Sequence, residues 1–180
     1  GRIEVRSMRT VDGRELWADG TRAFEAPDDG NEKDRTLARV ALPAPVAPGD
    51  TVQLAVEFES HLPRVSARTG WAGDPERPPS LFFMVAQWFP KVAALGTGRD
   101  GAPRFHAHQF HARSEFFADY GTYEVAITAP SRFTVGATGR LVERTDHPDG
   151  TTTHVHRQAE VHDFAWCASP HFHDETWRFE

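Results

Sequence analysis

The stretch that most constrains the fold is the middle third, Leu81 to Thr128. It opens as LFFMVAQWFPKVAAL, breaks at glycine, and resumes as FHAHQFHARSEFFADYGTYEVAIT. The first part is an almost unbroken apolar run ending in an amide and an indole, Gln87-Trp88. A run apolar on both faces reads as a central strand. The last part alternates, with Tyr123, Val125 and Ile127 on one side and Thr122, Glu124, Ala126 and Thr128 on the other. Period two with one polar face reads as a strand half exposed to water. Between the two strands lies a His- and Arg-rich connection, and function is expected there.

The same grammar recurs along the chain. Ile3 to Met8 alternates, and Asp12-Gly13 signals a hairpin turn before Glu15-Leu16-Trp17. Residues 18–34 are turn formers and charges, hence a surface loop. Arg35 to Leu42 is a strand candidate, closed by a Pro48-Gly49-Asp50 turn, and Thr51 to Glu59 is the cleanest alternation of all. Residues 63–80, rich in Pro, Gly and Arg, read as loop. Strands follow at Arg132–Thr138, Thr151–Gln158, Val161–Ala168 and Phe172–Phe179, with a tight turn at His147-Pro148-Asp149-Gly150. Short strands at such spacing, without a helical stripe, predict an all-β fold, an antiparallel β-sandwich. With 180 residues the chain suits one domain, residues 1–180. The 13 Phe and 5 Trp supply bulky side chains to fill a sheet core. Because the chain starts at GRIEVRS and stops at ETWRFE, both strand-like, it reads as a piece cut from a longer polypeptide.

Composition removes several classes of function. Net charge is −6 with both signs interspersed, so nothing forms the basic stripe that a nucleic-acid partner needs. No apolar run approaches the ~20 residues of a membrane-spanning helix. A single cysteine, Cys167, forbids an internal disulfide, and its neighbours Trp166 and Ala168 do not suit a reactive thiolate.

Ten histidines are many for this length, and three pairs stand at i, i+2: His106/His108, His154/His156 and His171/His173. On a strand that spacing sets both imidazoles on one face about 7 Å apart. A metal site would need further ligands from another strand, for instance His106, His108 and His111 with Asp119. The plainer reading is half-exposed strand histidines bonded to their neighbours. No His is followed by Glu, so the helical zinc-protease signature is missing, as is a Gly-x-Ser-x-Gly elbow. Glu115/Asp119 and Glu160/Asp163 read as turn and edge charges. Arg113, beside a buried stretch, has the fork to clamp Glu115 or Asp119 and so pin a loop, or else to hold a ligand. Gln87 ends an apolar strand, where an amide must find partners or face a cavity. Among Phe82, Phe83, Trp88 and Phe89 it is a candidate wall of a small pocket.

Phe83-Met84-Val85-Ala86-Gln87-Trp88-Phe89-Pro90-Lys91, followed by His111-Ala112-Arg113-Ser114-Glu115-Phe116-Phe117-Ala118-Asp119-Tyr120-Gly121, resembles the N-terminal domain of the M1 (gluzincin) family of zinc aminopeptidases, in its bacterial branch. PSRFTVGATG at 130–139, Val161-His162-Asp163-Phe164-Ala165-Trp166 and the Pro43–Phe58 segment extend the likeness over roughly residues 35–170. The resemblance implies a saddle-like antiparallel β-domain packed on a thermolysin-like catalytic domain. It implies that Gln87 reaches the cleft and lines the pocket for the substrate's first residue. It also implies that the zinc, its ligands and the general base belong to that other domain, so this chain carries no catalytic residue, metal or cofactor of its own. The expected partners are the catalytic domain of the same polypeptide and a peptide substrate at the junction, in a bacterial compartment left open between cytoplasm and export. A stand-alone β-sandwich module binding a peptide or glycan through its aromatics is the alternative.

Overall fold

The computed structural model describes all residues except 66–67, 78–79, 112–114, 116, 176 and 179–180. The described residues form strands β1 (Arg2–Thr10), β2 (Arg22–Phe24), β3 (Ala38–Val40), β4 (Leu54–His61), β5 (Gly70–Ala72) and β6 (Phe82–Val85). These are followed by β7 (Leu95–Thr97), β8 (Pro103–Phe105), β9 (Gly121–Pro130), β10 (Thr134–Ala137), β11 (Arg140–Asp146), β12 (Thr151–Val161) and β13 (Trp166–Ser169). No α-helix occurs among the described residues. The protein is all-β, as its alternation predicts, and the strands of four of its sheets pair antiparallel.

The chain divides into two compact units. The first comprises residues 1–2, 61–88 and 120–180. It holds a four-stranded sheet in the order β10-β13-β6-β5 and a three-stranded sheet in the order β11-β12-β9. β6 lies inside its sheet, with Val85 opposite Trp166 on one side and Phe83 opposite Trp71 on the other. An apolar run flanked on both edges is what the sequence of this strand demands. The core of the unit is Val85, Ile127, Phe133, Phe164 and Ala168, with Phe164 fully buried. At the start of β11, Gly139 has a φ of +84°, and a Cβ there would lie 2.5 Å from the Arg157 carbonyl oxygen. Only glycine fits that turn.

The second unit comprises residues 3–60 and 89–119. β2 pairs with β3 and β7 with β8, and β1 is the neighbour of β4. Leu16 and Ala94 are buried in it. The Glu15 carboxylate accepts from the Met8 and Trp17 amides at 3.0 and 2.8 Å, which lowers its pKa. The Arg22 guanidinium lies over the Trp17 and Phe24 rings, 5.0 and 5.3 Å from their centroids.

Several expectations shift at their edges. The surface loop at 18–34 contains β2, and the Pro- and Gly-rich stretch 63–80 contains β5. Both are three-residue strands, paired with β3 and β6 and too short to leave a periodic trace. β11 escapes the alternation rule because all seven of its residues are exposed, so no apolar face marks it. Glu15-Leu16-Trp17 contributes an isolated bridge to Arg9 and no strand. Residues 172–175 and 177–178 are irregular where a last strand is expected.

Candidate functional site

The first unit places Gln87 at the end of the inner strand β6. Val85 is sealed in the core, and the next amide, of Ala86, leaves the sheet ladder to donate to Thr69 Oγ1 at 3.2 Å. Gln87 then adopts a φ of +54°. A left-handed conformation costs a non-glycine residue roughly 1–2 kcal/mol and persists only where surrounding contacts enforce it. Those contacts come from the segment before β13. The Gln87 carboxamide donates through Nε2 to Asp163 Oδ2, and the Trp88 indole donates to the Phe164 carbonyl at 3.0 Å. Asp163 Oδ1 accepts from the Phe164 amide at 2.7 Å, which fixes the carboxylate from its own backbone. The buried Phe164 ring anchors this segment against Tyr123, with ring centroids 6.1 Å apart. Gln87 and Asp163 are themselves half-buried, and the bond between them is part-buried.

The electrostatics follow from this placement. Burial pushes the Tyr123 phenol up, and the nearby Asp163 charge adds to the effect. Tyr120, exposed, meets the His162 ring edge-on at 5.4 Å. The Asp163 carboxylate of the β12–β13 connection thus meets the Gln87 carboxamide that follows β6 and acts electrostatically on the Tyr123 phenol of β9. An amide that donates and accepts beside a fixed carboxylate suits a peptide group and a free amine.

In the second unit a different cluster forms around Asp28. Its Oδ1 is 2.9 Å from His108 Nδ1, and its Oδ2 is 3.0 Å from His111 Nε2. The Gln109 amide donates to the same Oδ2 at 2.8 Å. In return, Gln109 Oε1 accepts from the Asp28 amide at 3.1 Å, and the Gln109 side chain is buried. Asp28 is accordingly lowered to about 2, chiefly by its bond to His108 and then by that to His111. Thr36 completes the strap by accepting from the Phe110 amide at 3.0 Å.

The sequence candidates distribute as follows. Gln87 is half-buried just past β6 and bonded to Asp163. Arg113 lies outside the described residues, while Glu115 and Asp119 are exposed in the second unit. The combination of His106, His108 and His111 with Asp119 is not what forms, because His108 and His111 turn to Asp28 instead. No group of three or more His, Cys, Asp or Glu among the described residues is placed to hold a metal ion. The histidine pair on β12 is buried where half-exposed strand histidines are expected. Two participants were hard to see from sequence. Asp163 read as an edge charge, and its only signal is its place within Val161–Trp166. Asp28 sits in a charge-rich loop 80 residues from His108, a separation over which no local pattern operates.

No protein-family model matches this chain, and neither a curated protein nor a solved structure does.

Proposed function

We propose that the chain is the non-catalytic N-terminal β-domain of an M1-like zinc aminopeptidase. In this reading it packs on a catalytic domain elsewhere in the polypeptide, where the zinc resides, and Gln87 helps to form the pocket for the substrate's N-terminal residue. One observation carries the reading. Two of the segments that give the chain its likeness to that family, 83–91 and 161–166, are joined by the Gln87–Asp163 and Trp88–Phe164 bonds. A strained glutamine held in place by a carboxylate at a strand end is an arrangement that presents a polar group and does not merely bury one. A free α-amino group complements the carboxylate, and the first peptide group complements the carboxamide.

The test is an assay of the 180-residue chain with zinc and aminoacyl-nitroanilides, together with the sequence that follows Glu180 in its gene. The proposal expects no turnover and a downstream zinc-binding signature. Turnover by this chain alone would sink it. A second reading, a stand-alone module for a peptide or glycan, is favoured by the exposed Phe105, Phe110, Phe117, Tyr120 and Trp177. Saturable binding of an oligosaccharide or peptide by the chain alone, abolished by Trp177→Ala or Phe105→Ala, would select it.

A further inference from the structure

His154 and His156 stand on one face of β12, opposite Ile127 and Val125 of β9 and opposite Arg144 and Leu141 of β11. Only 8% and 5% of their surfaces are exposed. His154 Nδ1 and both ring nitrogens of His156 are buried with no hydrogen-bond partner among the described residues. A buried imidazole normally finds at least one partner, because an unmet polar atom forfeits its hydration. Thr152, the preceding residue of the same row, shows the usual solution: its hydroxyl donates to Asp146 Oδ1 at 2.7 Å and contacts Ser131 Oγ at 2.8 Å.

We propose that this histidine pair makes the β11-β12-β9 sheet acid-labile, so that protonation of the two rings opens it between neutral pH and about pH 5. Each ring fits its site only while neutral. The charged groups around them do not reverse that preference. For His154, burial dominates and the Arg144 guanidinium of β11 adds to it, while Asp146 of β11 and the backbone of Ile127 and Thr152 oppose it weakly. For His156, burial dominates and His154 itself adds to it, with the Gly139 backbone opposing. Both rings are therefore held below the ordinary histidine value. A histidine depressed in the folded state stabilises fully above its unfolded pKa near 6.5 and loses that contribution as pH falls below it. Two adjacent rings are coupled, since charging one raises the cost of charging the other. In the limit, the unfolding equilibrium constant rises about tenfold per pH unit for each ring that the unfolded chain protonates and the folded chain does not. Both rings together give about a hundredfold per unit.

The experiment is hydrogen exchange by mass spectrometry, with rates corrected for intrinsic pH dependence, on the whole chain from pH 7.5 to pH 5. Peptides spanning 121–130, 140–146 and 151–161 should lose protection steeply below about pH 6.5, ahead of peptides covering 104–111. In His154→Gln/His156→Leu the loss with pH should flatten by at least tenfold per unit. An equally steep loss in that variant overturns the proposal. Should the variant fail to fold, the imidazole Cε1 protons of the native protein decide by NMR. Midpoints for both rings below the ordinary value, with strand resonances broadening as they titrate, support the proposal. Titration of both at the ordinary value with the sheet intact overturns it.

Discussion

Gln87 donates its carboxamide proton to Asp163 across 76 residues of sequence, from a backbone in the left-handed region. The bond is one of several that hold the strain: the Ala86 amide on Thr69 and the Trp88 indole on the Phe164 carbonyl fix the chain on either side of Gln87, so its φ of +54° does not depend on the carboxamide alone. Release of that constraint is therefore measurable. Gln87→Ala keeps the unfavourable backbone and loses the bond, whereas Gln87→Gly loses the bond and relieves the backbone. Urea unfolding should find the glycine variant about 1 kcal/mol more stable than the alanine variant, although glycine is usually the worse residue. Equal stabilities, or alanine ahead, would mean that the backbone is not constrained as described.

Asp163 also reaches Tyr123. Burial is the larger reason for the raised phenol, and the carboxylate is the smaller one. Asp163→Asn should move the Tyr123 midpoint down, but only partway towards the ordinary value near 10. With 2 tyrosines in the chain, absorbance titration of the variant and of its Tyr120→Phe background resolves the shift. An unmoved midpoint would separate Asp163 from the phenol.

Phe164 anchors the segment that holds Gln87. It is fully buried, and truncating a buried phenylalanine costs roughly 3–5 kcal/mol from lost transfer energy and the cavity left behind. Urea unfolding should find the free energy of unfolding of Phe164→Ala lower by that amount, and that of Phe164→Leu by clearly less. A mild effect of alanine would mean that the segment anchors elsewhere.

The Asp28 strap gives a prediction in acid. Its pKa is lowered from 3.8 to about 2. The sign is that of a depressed carboxylate: the contribution is complete above the unfolded value and disappears as pH falls from about 4 to about 2. Carbon-detected NMR titration of the side chain should give a midpoint near 2, and Asp28→Asn should remove the acid-induced loss of exchange protection at 108–111. A midpoint at the ordinary value would mean that His108 and His111 do not hold this carboxylate in solution.

Legibility from sequence followed how local the physics is. β9 was visible because one face is wet and the other drier, and period two records that difference; β12 was legible from the tight turn before it, since its buried row is the polar Thr152, His154 and His156. β6 was visible because its run is apolar throughout, although only Val85 is fully buried and Met84 faces outward. β11, exposed along its length, left no such record, and three-residue strands such as β2 and β5 are specified by their partners. The same divide governs the site. Gln87 stood out as a polar group ending an apolar strand, but Asp163 and Asp28 act through contacts 76 and 80 residues away. The burial of His154 and His156 was likewise hidden, since alternation marks them as sharing a face without saying which face is dry.

The proposed function has Gln87 facing a substrate's first residue, and steady-state kinetics of the longer polypeptide that this proposal expects, with and without Gln87→Ala, across a panel of aminoacyl-nitroanilides, test it most directly. Loss of one hydrogen bond of about 0.5–1.5 kcal/mol predicts a KM raised about 2- to 12-fold, or an altered first-residue preference, with unfolding stability enough to keep the variant folded at the assay temperature. Unchanged KM and unchanged preference across the panel would remove Gln87 from the substrate pocket and contradict the account.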